Sequence, residues 1–303
     1  MFKNLRFNKK NVALILAFLG VGILGVTVGI NVPRVEKSIS DYQAAKKNKE
    51  EASKIDKLTE AVTPKDGLTL PVSWGDLGPR LVAAGVIDEQ KFNEAVNATD
   101  DQKKILSGGV DAPVKIDSTN SQFVVDLLWA IGLAQKSIIY EEGPMGKEYK
   151  SDQGNFASTG GWTLAKGNAT QYLNKYDLVS LTPEQQKRVK DISMNVYRPC
   201  CDNPTWFPDC NHGMAALAAI EMMVAKNLSD DEIYRNVLKL NSFWFPDAYL
   251  TAAVYFDGQG VSWDKVDAKK VLGKDFSSAT GAQRLQSIVG PLPGRSTGGS
   301  CGA

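Results

Sequence analysis

Apolar residues along this chain return at helical spacing. In residues 118–135, STNSQFVVDLLWAIGLAQ, the side chains of Phe123, Val124, Leu127, Leu128 and Ile131 share one face, and Ser118 or Thr119 stands where a helix cap is needed. Residues 181–197, LTPEQQKRVKDISMNVY, place Thr182 at the N-cap, Pro183 at the first helical position and Gln185 as capping-box partner. That helix turns Val189, Ile192 and Val196 inward and is expected to end just before Pro199. Ser229 and Glu232 repeat the capping logic ahead of Ile233, Val237 and Leu238, and the Ala- and Met-rich run 213–226 lies between these two helices. Further helices are expected over 247–256 and 278–289, with shorter ones inside 74–85 and 88–96. No convincing alternating run occurs, so the fold class expected over residues 65–290 is mainly α, a bundle-like helical domain.

The N-terminus follows a different pattern. Residues 11–30, NVALILAFLGVGILGVTVGI, carry no charge, a length that matches a hydrocarbon core of roughly 30 Å. Lys3, Arg6, Lys9 and Lys10 precede this run, with Arg34 and Lys37 soon after it, which predicts a cytoplasmic basic tail (1–10) and an outward-facing remainder. No A-x-A cleavage site and no lipid-accepting cysteine follow, so a retained single-pass signal anchor in the cell membrane is expected over 11–30. Gly25 and Gly29 form a GxxxG pair through which two such helices would make a homodimer. Residues 31–64, rich in Lys, Glu and Ala from Val35 to Ala61, read as a helical stalk and linker.

Two local features have structural explanations. The tetrapeptide WFPD occurs at Trp206–Asp209 and at Trp244–Asp247, each time ahead of an Ala-rich segment, and reads as a helix entrance. Residues 153–167, QGNFASTGGWTLAKG, match neither GxGxxG nor GxxxxGK[ST] and read as a surface loop leading to a helix near 168–176. Composition removes one class of partner: 35 Lys and Arg stand against 34 Asp and Glu, leaving no basic excess for nucleic acid.

The candidate chemistry lies in RPCCDNPTWFPDCNHGM, residues 198–214, which holds three of the four cysteines and the only histidine. Cys200 and Cys201 follow one predicted helix; Cys210 and His212 open the next, where the positive helix end favours thiolate. Adjacent cysteines serve one ion only if the turn at Pro199 bends the chain. Cys301, in the Gly/Ser tail 291–303, is a candidate further ligand or a mobile thiol. Such soft donors suit zinc or copper, and Met214 is placed to add a thioether. Outside the membrane the same thiols permit a disulfide-stapled loop, with Cys201–Cys210 as the expected bridge, or a catalytic thiol.

Residues Pro199 to Phe245 resemble extracytoplasmic cysteine-motif proteins, in which a cysteine cluster opens a helix and a capped S-x-x-E-I helix follows, as in LSDDEIYRNVL here. The PCYCGC-motif lipoproteins and the thiol proteins of cytochrome c maturation share this outline, although this chain has neither PCYCGC nor CxxC. The resemblance implies a thiol or metal role outside the cytoplasm and no catalytic residue. The leading expectation is a membrane-anchored protein that binds zinc or copper through Cys200, Cys201, Cys210 and His212, with Cys301 as extra ligand, for sequestration or handover to an envelope partner rather than for turnover. The alternatives are a disulfide-stabilised scaffold module and a lysozyme-like cell-wall hydrolase using Glu141 or Glu142 as acid.

Overall fold

The computed structural model describes residues 37–293 apart from 39, and they fall into two compact units divided between residues 55 and 56. In the first unit residues 40–55 are helical and largely exposed, with Lys46–Glu50 and Lys47–Glu51 pairs at i,i+4 along the surface. The basic tail, the apolar run 11–30 with its GxxxG pair, and Cys301 lie outside the described residues. Among the described residues no helix is long and apolar enough to cross a membrane.

The second unit is mainly helical and carries one small sheet. Its helical residues 56–62 bury Leu58 and Val62. Strand β1 (Leu68–Ser73) pairs antiparallel with β2 (Pro113–Ile116), which corrects the expectation that alternation is lacking. Leu70, Val72, Val114 and Ile116 all point inward, but each alternating run is short and Pro71 interrupts the β-forming pattern on the exposed face. Between the strands come α1 (Leu77–Ala84), α2 (Glu89–Ala95) and α3 (Asp100–Ser107). The last was not expected; a Thr99–Gln102 capping box starts it, and Leu106 is its one buried residue.

Helix α4 (Ser121–Ala134) buries the five apolar residues that its periodicity selects, although Asn120 rather than Ser118 or Thr119 occupies the cap position. The single turns α5 (Ile139–Glu142) and α6 (Ala157–Gly160) lead to α7 (Pro183–Ser193), where Thr182, Pro183 and Gln185 hold the expected capping geometry. Helix α7 stops at Ser193, short of Pro199, because the returning chain takes the carbonyl at its end and one just beyond it. Trp206 N–H donates to the Ser193 carbonyl and Thr205 N–H to that of Val196.

Helix α8 (Asn211–Ala225) is buried all round from His212 to Val224 and lies along α4. Gly132 permits this approach, since a Cβ there would overlap the Met214 carbonyl oxygen. Helix α9 (Asp230–Trp244) begins with the expected Ser229–Glu232 box, and α10 (Pro246–Gly258) begins at the second WFPD, with Pro246 in its first turn. The chain closes through α11 (Ala268–Leu272), α12 (Lys274–Ser277) and α13 (Ala279–Val289).

Residues 153–167 depart from the surface-loop expectation. Ser158, Thr159 and Trp162 are buried, Trp162 Nε1–H donates to the Val86 carbonyl, and Trp129 Nε1–H donates to that of Ser158. The expected helix near 168–176 is reduced to a 3-10 turn, Ala169–Tyr172. Small residues let this segment enter the interior, where Ser158 N–H holds the Asp209 carbonyl and fixes one side of the cysteine loop.

Candidate metal centre

The cysteine loop is pinned at both margins. Arg198 to Cys201 forms a tight turn around Pro199, closed by Cys201 N–H to the Arg198 carbonyl at 3.4 Å. This is the bend that adjacent cysteines require. The Asp202 carboxylate then accepts from Thr280 N–H (2.9 Å) and Thr280 O–H (2.8 Å) at the start of α13, and the Cys201 carbonyl accepts from Ala279 N–H (3.0 Å). At the far margin Cys210 is the N-cap of α8, its sulfur accepting from Gly213 N–H at 3.4 Å.

Folding therefore brings Cys200, Cys201 and Cys210 together, with their sulfurs within 4.8 Å of one another and Cys200 Sγ 3.4 Å from Cys210 Sγ. Three thiolates around a zinc ion, each at about 2.3 Å, would stand about 3.8–4.0 Å apart, so small rotations bring all three onto one ion. A group of three thiols at metal-binding distance is thus present.

Arg198 organises this group. Its side chain has no solvent exposure, and its guanidinium donates from Nε to Cys210 Sγ (3.0 Å), from Nη1 to the Asn203 carbonyl (2.9 Å) and from Nη2 to Asp209 Oδ1 (2.6 Å). Asp209 Oδ2 accepts from Asn203 Nδ2 at 2.8 Å, so both carboxylate oxygens are used. The guanidinium lies against the backbone of Gly213, where an added Cβ would stand 2.5 Å from both Cζ and Nη2. Gly213→Ala is accordingly expected to displace Arg198 and lower stability by about 1–3 kcal/mol, read as a lower urea midpoint. An unchanged midpoint would mean that the guanidinium is not fixed there.

Electrostatics single out one sulfur. Cys210 is held well below the usual thiol range by hydrogen bonds from Cys200 and Cys201, and then by the charge and hydrogen bond of Arg198, which together outweigh its burial. Cys200 is pushed up because it donates toward Cys201 and Cys210 and is partly buried. Cys201 gains from Cys200, but its hydrogen bond to Cys210 and its burial outweigh that and push it up to about 12. Burial disfavours the Arg198 charge, and the surrounding thiols more than offset this. Cys210 is therefore the sulfur whose thiolate form is favoured: it caps a helix N-terminus and accepts from two thiols and an arginine.

His212 stands apart from the mutually close sulfurs. Its ring sits against Phe245 (centroids 4.5 Å apart) and Trp244 (5.7 Å), and burial pulls its pKa down to about 4. His212→Phe is expected to leave bound soft metal at native stoichiometry; its loss, with the fold intact by circular dichroism, would place His212 among the ligands. Met214 Sδ accepts from Tyr140 O–H at 3.2 Å. Cys200 Sγ and Cys210 Sγ stand 3.4 Å apart, so this pair is available for a bridge as well as the Cys201–Cys210 pair expected from spacing, and all three thiols are free.

The first WFPD differs from a helix entrance. Pro208 and Asp209 precede the cap, and Asp209 faces Arg198; only the second copy enters a helix as expected. Glu142, considered above as an acid, pairs with Lys190 and is held below the usual carboxylate range, the reverse of what proton donation needs. The sequence pattern gives Arg198 and Gly213 no role and Asp209 only that of a helix entrance, although a basic residue beside the first cysteine pair and an acidic one beside Cys210 were the available signal. Comparison with protein-family models, curated proteins and solved structures returned no match.

Proposed function

We propose that this protein holds a soft metal ion of the zinc or copper(I) type on Cys200, Cys201 and Cys210, for sequestration or handover rather than for turnover. The observation that carries this reading is the convergence of three sulfurs from a turn and a helix cap around one buried arginine. Sulfur donors select soft ions, and Cys210, whose thiolate form its surroundings favour, gives the ion a first point of attachment. In the same reading residues 11–30 anchor the chain in the cell membrane, the stalk that follows them ends where residues 56–62 join the second unit, and Cys301 on its tether relays the ion to an envelope partner. Elemental analysis of the reduced full chain tests the site: one ion per chain is expected, falling to none when Cys200, Cys201 and Cys210 are all replaced by alanine.

A second reading has its own observation. The 3.4 Å approach of Cys200 and Cys210 needs little movement to reach the about 2.05 Å of a disulfide, which would make the loop a stapled scaffold in an oxidising compartment. A native chain carrying that bridge and no metal would favour it.

A further inference from the structure

We infer that the ion best matched by this centre is a trivalent, three-coordinate thiophilic one, of the arsenic(III) or antimony(III) class, rather than a tetrahedral divalent metal. The inference rests on the soft-ion reading above and narrows its cargo. Three features of the site lead to it.

The first is the number of donors. Among the described residues the mutually close group consists of three sulfurs, and neither Asp209 nor His212 belongs to it. Asp209 gives one oxygen to Arg198 and the other to Asn203, while His212 is held between Phe245 and Trp244. Structural zinc is almost always four-coordinate, whereas arsenic(III) completes its shell with three bonds and a lone pair.

The second is charge. Arg198, wholly buried, and Asp209, partly so, form an ion pair of no net charge while Arg198 also donates to Cys210 Sγ, so the net charge left for an ion to balance is that of the thiolates. Three thiolates are neutralised by a trivalent ion; a divalent ion leaves one negative charge and copper(I) leaves two in a partly buried pocket, where an unbalanced charge is costly. The third is donor softness: the group contains sulfur only, without nitrogen or oxygen.

The binding chemistry balances without an oxidant or reductant. Arsenous acid condenses with the two thiols and the Cys210 thiolate, forming three As–S bonds as three As–OH bonds break; two departing hydroxides take the thiol protons and the third takes one from solvent, so three waters leave. Arsenic stays trivalent throughout.

The test uses the reduced full chain with arsenite, zinc and copper(I), supplied singly and in equimolar competition, with bound ions counted by elemental analysis and arsenic–sulfur coordination read by X-ray absorption. Arsenite is expected to bind one-to-one with three sulfur neighbours, and to lower bound zinc roughly tenfold in competition. Cys201→Ala should lose arsenite affinity by roughly tenfold or more while still binding phenylarsine oxide, which needs two thiols, so that a folding defect is told apart from a lost donor. Zinc or copper(I) bound one-to-one and undisturbed by arsenite would overturn the trivalent assignment and leave the soft-metal proposal standing. Failure of all three ions to bind would remove both.

Discussion

Arg198→Ala is expected to lower the free energy of unfolding by about 3–5 kcal/mol and to abolish soft-ion binding in the same protein. The side chain is wholly buried and serves four acceptors at once: Cys210 Sγ, Asp209 Oδ1 and the carbonyls of Asn203 and Phe207. Its removal strands the Asp209 carboxylate beside the thiols and opens space against Gly213 that no neighbour is shaped to fill. Arg198→Lys should rescue little, because an ammonium cannot reproduce the planar fork that reaches a sulfur, a carboxylate and two carbonyls together. Urea unfolding of each variant, with elemental analysis of the folded fraction, measures both losses. A change below about 1 kcal/mol for Arg198→Ala would mean that the loop is held mainly by its contacts to α13 and α6.

The second large effect lies inside α8, away from the loop. Glu221 is fully buried, and neither of its carboxylate oxygens has a hydrogen-bond partner. Burial pushes its pKa up to about 8; Ser137 opposes this only weakly, since its Oγ also stands outside hydrogen-bond geometry. Between the ordinary glutamate value of 4.5 and about 8, the unfolded chain releases this proton while the folded chain retains it. The unfolded state binds fewer protons there, so stability must fall as pH rises through the window, by a total on the order of 5 kcal/mol. Glu221→Gln should abolish that fall and leave the variant more stable than the native chain above pH about 8, with little difference at the acid end. His212 and Asp126 titrate in overlapping ranges, with His212 acting in the opposite sense, but both chains share them and the comparison removes their contribution. Parallel stability profiles for the two proteins would show that Glu221 finds a charged partner or water in solution.

Local rules carried much of the helical architecture. The boxes at Thr182 and Ser229 use side chains and backbone within one turn, so four residues of sequence suffice to recognise them. The buried face of α4 follows in the same way from periodicity alone. What escaped depends on distant partners. Helix α7 ends early because residue 206 returns to the carbonyl of its last residue and residue 205 to that of Val196 just beyond, and residues 153–167 are interior because Ser158 meets the cysteine loop. The three thiols were legible as chemistry, and the Pro199 bend as the condition for their meeting, but Arg198 and Asp209 acquire their roles only once the loop closes. His212 shows another long-range dependence: its ring packs against Trp244 and Phe245 of the second WFPD, which no short-range rule connects to it.

The central claim is that Cys200, Cys201 and Cys210 act as one soft-ion centre. Its most direct test is alkylation of the reduced full chain before and after loading with a soft ion, with each cysteine followed by mass spectrometry. The account predicts that all three become protected together, at one ion per chain, and are released together by a competing thiol chelator. Unchanged labelling of the three cysteines on loading, or a Cys200–Cys210 disulfide in the freshly isolated chain with no ion bound, would contradict it.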